Sequence, residues 1–169
     1  MAVKVALEDQ ARGDGVHSPA VGALRQDPAL FAEGEAFVPY RYDAAEVDRR
    51  FDALQARRDK RSYAILLGER VIGNLCFKHI DTSAGSCELG VCLTDESVKG
   101  RGYGTQAERL ALRLGFEELG LSQIRAKCLK QNRRSLRALQ KAGFHRTAED
   151  ADFVWFSVSR EEMIGEKKK

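Results

Sequence analysis

The sequence predicts a mixed α/β fold on a largely antiparallel sheet, and three observations carry that expectation. Three strand-like runs joined by short turns lie between positions 62 and 94. A long helical run follows, with apolar residues on two stripes. Strand and helix patterns then alternate to the end of the chain. Composition sets the bounds. A chain of 169 residues, 43% hydrophobic and 31% charged, suits one soluble globular domain. No apolar run approaches the roughly 20 residues of a membrane span. Met1–Asp9 lacks the long apolar core of an export signal and carries early acidic residues, so a cytoplasmic protein is expected. A net charge of +3 is too mild to imply a nucleic-acid partner.

The elements follow in order. Val3, Val5 and Leu7 alternate with Ala2, Lys4 and Ala6, which predicts a short strand. Gly13-Asp-Gly15 and Ser18-Pro19 mark a loop. One helix is expected from about Ala20 to Ala32. A second begins near Asp43, with Val47, Phe51 and Leu54 on its apolar face and Arg49, Arg50, Arg57 and Arg58 on a solvated one. Ser62–Leu67, the run from Val71 to Lys78 and Ser86–Thr94 form a three-stranded meander, with Gly68-Glu69 as its first tight turn. The next helix has Ala107, Leu110, Ala111 and Leu114 on one apolar stripe and Leu112, Phe116 and Leu119 on another. Gly120 ends it. Ile124–Leu129 is a strand, Asn132–Ala142 a helix with Gly143 at its C-terminus, and Phe153–Val158 the last strand. The predicted order is β-αα-βββ-α-β-α-β. Residues 1–164 form the domain, and 165–169 form a basic tail expected to be disordered.

Several chemistries are absent from the pattern. Cys76, Cys87, Cys92 and Cys128 include no CxxC pair and read as buried reduced thiols. His17, His79 and His145 show no metal-ligand spacing, so no metal is expected. Neither a GxSxG elbow nor a GxxxxGK[ST] loop occurs.

The informative stretch is Lys99-Gly-Arg-Gly-Tyr-Gly-Thr105, which joins a strand to a buried helix. Its glycines let the backbone turn tightly and approach a ligand closely. The helix behind it offers unpaired N–H groups and the positive end of its dipole, a setting that favours phosphate. Lys99 and Arg101 add positive charge. Thr105-Gln-Ala-Glu108 also matches a capping box, a competing structural role for Thr105. Gly102–Ala107 satisfies a loose GxGxxA dinucleotide fingerprint. However, it follows an antiparallel meander, and the next strand carries Lys127 and Lys130 instead of an acid.

Lys99–Gly104 resembles the pyrophosphate loop, [QR]xxGx[GA], of the GNAT superfamily of acetyl-CoA-dependent N-acetyltransferases, with Lys in place of the usual Gln or Arg. Downstream, Asn132-Arg-Arg-Ser135 continuing to Gly143-Phe144 is similar to the family's N-x(2)-[AS]-x(7)-GF helix. The likeness covers roughly residues 3–160, and its nearest flavour is the branch that acetylates ribosomal proteins and small amines. The resemblance implies a mixed α/β acyltransferase fold whose largely antiparallel sheet splays at the CoA site and is flanked by helices. It also implies acetyl-CoA as co-substrate. Leu93 and Thr94 would bond the pantetheine arm through freed backbone groups, as an added strand would. Amides from Gly100 through Arg101, Gly102, Tyr103 and Gly104 to Thr105 would hold the pyrophosphate. Asn132 would bond pantetheine or simply cap its helix.

The implied reaction needs a neutral amine, and an ordinary lysine-type amine has a pKa of about 10.4. Glu88, an acid in an otherwise apolar central strand, is the candidate base. Its alternative role is a structural carboxylate paired with a neighbouring Arg. Where many family members carry a Tyr to protonate the leaving thiolate, this chain has Leu139. Ser135 is the substitute donor, with Cys128 and Tyr103 behind it. The acceptor site would lie between roughly Phe31–Arg58 and Asp152–Ser157, with Phe37, Pro39, Tyr40 and Tyr42 at an aromatic entrance. The expected partners are an amine substrate, either small molecule or protein N-terminus, with no nucleic acid and no membrane; a homodimer stays open. A second reading, prompted by Leu139, is an acyl-CoA-binding regulatory module with little turnover.

Overall fold

The structure, a computed structural model, describes residues 2–7, 57–94 and 96–166, together with the single positions 43, 45, 49 and 53. The helix expected at Ala20–Ala32, the aromatic entrance at Phe37–Tyr42 and the apolar face of Val47, Phe51 and Leu54 lie outside the described residues. Ala45, Arg49 and Ala53 are helical and exposed.

Seven strands make one sheet in the order β1-β2-β3-β4-β5-β7-β6. They are β1 (Val3–Leu7), β2 (Arg61–Leu67), β3 (Arg70–Asp81), β4 (Ser86–Leu93), β5 (Gln123–Leu129), β6 (His145–Glu149) and β7 (Phe153–Ser159). Gly68, at φ 64°, closes the β2–β3 turn. Every neighbouring pair is antiparallel except β4 and β5. A parallel pair requires a crossover, and helix α1 (Tyr103–Arg113) provides it, ending in a single π-helical turn at Leu114–Glu118. Helix α2 (Arg133–Ala142) links β5 to β6, and α3 (Arg160–Glu166) follows β7.

The core is the apolar alternation read from the sequence. Ile65, Leu75, Phe77, Leu112, Ile124 and Phe156 are fully buried between sheet and helices. Helix α1 lies close on the sheet where Gly115 faces it, since a Cβ there would stand 2.5 Å from Ile124 Cδ1. Arg160 closes the π turn by donating from Nε and Nη2 to the Leu121 carbonyl at 3.0 and 2.7 Å, and from Nη2 to the Phe116 carbonyl. At Gly73 the Cys92 carbonyl comes so near that a Cβ would sit 2.2 Å from it. Only glycine lets β3 and the end of β4 approach this closely.

Two elements were not expected. Strand β6 is exposed along its whole length, so it carries no buried alternation to betray it. Helix α3 runs through Gly165 and Glu166, two residues into the segment expected as a tail. Of the four cysteines, Cys87 and Cys128 are buried as expected, but Cys76 and Cys92 are only half-buried; none is in a disulfide. No described helix is long and apolar enough to cross a membrane.

Candidate active site

The site follows from how β4 and β5 part. They pair only through Ser86–Gln123, Cys87–Ile124 and Glu88–Arg125. Beyond Glu88, β4 stays paired with β3 to Leu93, while β5 stays paired with β7 to Leu129. A gap therefore opens within the sheet. Among the described residues, the edge of β4 facing it from Leu89 to Leu93 has no strand partner. Thr94 turns both its donors the other way, with N–H and Oγ1 on the Ile72 carbonyl at 2.9 and 3.2 Å. These two bonds tie the end of β4 to β3.

The glycine loop stands at the mouth of the gap. Gly100 and Gly102 have φ of 73° and 82°, and a Cβ on either would meet nothing within 4 Å. Both thus require left-handed backbone and face open space, as a cradle for a ligand does. Gly102 is the N-cap of α1 and makes no side-chain cap bond. The capping box expected from Thr105 and Glu108 does not form, because the helix begins two residues before Thr105. The first intrahelical bond is Gln106 N–H to the Gly102 carbonyl at 3.0 Å. The N–H groups of Tyr103, Gly104 and Thr105 therefore have no acceptor in the helix. Leu93 lies beside the loop, its Cδ1 4.0 Å from a Cβ built on Gly104.

Charge at the mouth is organised by Glu96. Lys99 Nζ lies 3.3 Å from it and Arg134 Nη1, from the first turn of α2, 2.5 Å. Arg134 first and Lys99 second hold the Glu96 carboxyl below the usual carboxylate range. Arg134 was not singled out in the sequence; only the approach of α2 to the loop reveals it. Arg101 is exposed.

Inside the gap the structure brings Glu88, Asn132 and Ser135 to one cleft of about 200 Å³, with Lys78, Lys127 and Phe153 on its walls. Glu88 is the cross-strand partner of Lys78, whose Nζ is 2.9 Å from Oε1. The expected pairing with an Arg is thus a pairing with a Lys. Arg125, opposite Glu88 on β5, reaches Ser86 Oγ at 3.4 Å. Asn132 Oδ1 accepts from the Ser135 N–H at 3.1 Å, so the helix-cap role is realised. Burial raises the pKa of Cys128, and the Ser135 hydroxyl pulls it partly back. On the far wall Lys127 Nζ lies 5.0 Å from the Phe153 ring centre and 5.4 Å from that of Trp155, a cation–π pair.

Glu108 carries no mark of a site in the sequence but stands out in the structure. It projects from α1 into a cavity of about 100 Å³ whose wall also includes Gly90, Val91, Lys127, Ser135 and Leu139. It is 3% exposed, and its Oε2 has no hydrogen-bond partner among the described residues. Burial pushes its carboxyl up to about 8. Its sequence signal is an acid between Ala107 and Ala111 on an apolar stripe of α1, at a spacing from Thr105 that also matches a cap. Among the described residues no cluster of three His, Cys, Asp or Glu side chains is arranged to hold a metal.

A sheet splayed between two parallel strands, with a glycine loop and helix N-terminus at its mouth, defines the class as a mixed α/β acyltransferase fold. The chain belongs to the Acetyltransferase (GNAT) domain family, whose profile matches residues 11–145. It is 37% identical over 79 residues to a probable N-acetyltransferase, YjcK, of Bacillus subtilis; the match covers 46% of this chain and 43% of that protein. The chain thus aligns with less than half the length of this relative. The N-acetyltransferase PseH of Campylobacter jejuni, solved with acetyl coenzyme A, superposes with a TM-score of 0.61 at 26% identity over 69% of this chain and 79% of that one. The spermidine N-acetyltransferase of Vibrio cholerae, solved with CoA and spermine, shares the fold at a TM-score of 0.74 and 14% identity, covering 96% and 98% of the two chains.

Proposed function

We propose that this protein transfers the acetyl group of acetyl-CoA directly to a primary amine, either a protein N-terminus or a small amine, as the ribosomal-protein and small-amine branch of the family does. The single observation that carries this reading is the gap between β4 and β5, open from Leu89 onward, with the glycine loop at its mouth and Glu88 inside it. Gly100 and Gly102 fit a bound pyrophosphate, because each takes a left-handed conformation beside open space, next to the first N–H groups of α1, which have no acceptor in the helix. Lys99, Arg101 and Arg134 add positive charge at that mouth, and Leu93 offers its backbone to the pantetheine arm. The co-substrate supplies an activated acetyl thioester. Glu88, held by Lys78, takes the proton of the incoming amine directly or through a water. Ser135 donates a hydrogen bond towards the departing sulfur. Holding amine and thioester together in the gap supplies much of the acceleration. Four thiols outside any disulfide suit the reducing cytoplasm, which we take as its compartment.

Calorimetry with acetyl-CoA, followed by mass-shift screening of polyamines, amino sugars and N-terminal peptides, tests the reading. Binding with one amine class gaining an acetyl group is the expected result. Binding without turnover on any amine would favour a regulatory module, and no binding would defeat both.

A further inference from the structure

A carboxyl group buried without a partner is costly. A leucine or alanine would fill the site of Glu108 more cheaply, so its presence needs a reason. It is 3% exposed, Oε2 is unpartnered among the described residues, and it shares a cavity wall with Gly90 and Val91 of the free β4 edge and with Ser135 of α2. That cavity and the cleft holding Glu88 have Leu89, Gly90, Val91, Lys127 and Ser135 in common. Glu108 and Glu88 thus border one continuous gap.

We propose that Glu108 is the general acid of acetyl transfer, giving its proton to the CoA sulfur as that sulfur leaves. The proposal rests on the acetyl-transfer reading above. Leu139, beside Glu108 in the wall, has no proton to give, and the Ser135 hydroxyl is a poor acid. The balance is simple. The amine nitrogen bonds to the thioester carbon, the carbon–sulfur bond breaks, and its electron pair leaves on sulfur. Glu108 protonates the sulfur, giving the thiol. The proton lost by nitrogen passes to Glu88 or water, and solvent returns one to Glu108.

The groups around it suit the task. From β5 come Lys127 on the cavity wall and, next to it in the chain, the Cys128 thiol, which burial raises first and an ionised Glu108 raises further. From α2 comes Ser135, and the β4 residues Leu89, Gly90 and Val91 have nothing to titrate. Desolvation keeps the carboxyl protonated up to about pH 8, so at neutral pH it holds the proton the step requires.

The test has two arms. In the first, pH–rate profiles of wild type and Glu108→Gln are measured with one accepted amine. Wild-type kcat should fall as pH rises through about 8, where the acid is lost. The variant should lose about 10²-fold in kcat at neutral pH and lose that alkaline limb, with acetyl-CoA affinity within about twofold. In the second arm, carboxyl NMR of protein carrying labelled glutamate follows Glu108, assigned by its absence in Glu108→Leu. Its titration midpoint should move on adding CoA but not desulfo-CoA, which lacks only the sulfur. A variant with wild-type rate and profile, or equal shifts with both ligands, would overturn the proposal. Should the Gln variant fail to fold, the NMR arm decides on wild-type protein. Absence of CoA binding or of any acetylation defeats the acetyl-transfer reading and the proposal with it. Acetylation with both Glu108 readouts unmoved defeats the proposal alone.

Discussion

The two ends of the seam between β4 and β5 are built from the same strands but to opposite rules. At the closed end Ser86, Cys87 and Glu88 pair with Gln123, Ile124 and Arg125, and apolar packing does the rest. Ile124 is fully buried there, and burial pushes the Cys87 thiol up to about 12, which leaves it chemically inert. At the open end the backbone edge of β4 has no strand partner among the described residues, and Glu88, Glu108, Asn132 and Ser135 gather in the space between the strands. One strand thus both packs into the sheet and borders an open cleft. The closed end joins β4 to β5 at three positions, and past Glu88 no described strand pairs with β4 on that side.

The largest expected change is in stability at alkaline pH. Glu108 is raised from the ordinary 4.5 to about 8, so the folded state holds a proton that the unfolded state has lost across that window. Wild-type stability should therefore fall as pH rises from about 4.5 to about 8 and level off above. The loss is on the order of 5 kcal/mol, because a tenfold difference in proton affinity between the folded and unfolded states is worth about 1.4 kcal/mol. Glu108→Leu should abolish that fall, measured as urea midpoints at pH 5 and pH 9. Equal pH dependence in both proteins would mean that the open end carries no such charge penalty.

The next effect falls on the loop. Gly102→Val forces a β-branched side chain into φ 82° and places it in the open space of the cradle. Acetyl-CoA affinity should drop at least about 10²-fold by calorimetry, about 2.7 kcal/mol. Undiminished affinity in a folded variant would move the binding site away from the loop.

Glu88→Gln separates a catalytic carboxylate from a structural partner of Lys78. The change is nearly isosteric, so CoA affinity should hold while kcat/KM for a true substrate falls by about 10²-fold. Normal turnover would assign Glu88 to the closed end, as a cross-strand ion pair only. The smallest effect is expected at Ser135. One neutral hydrogen bond is worth about 1 kcal/mol, so Ser135→Ala should slow transfer by about fivefold with the fold intact. A rate equal to wild type would leave Ser135 as a helix-start residue whose N–H is capped by Asn132.

Most of the sheet and the glycine loop were legible in the residues alone. Alternation marked β2 to β5 and β7 because each has a buried face, whereas β6 has none and left no trace. The glycines marked the tight loop because left-handed backbone demands them, and Gly100 and Gly102 adopt it. Which long-range neighbours meet was not legible there. The departure of β4 from β5 after Glu88 depends on how two strands separated by a whole helix come together, and no local pattern encodes it. The same holds for the pairing of Glu88 with Lys78, for Arg134 at the loop, and for Thr94 turned back on β3. Glu108 shows the reason most clearly. In sequence it is an acid three residues after a threonine, which reads as a cap. The start of α1 at Tyr103 removes that role, and the walls supplied by β4, β5 and α2 make it a buried carboxyl facing the gap. Its chemistry is set by desolvation, a property of the assembled neighbours that local sequence spacing does not specify.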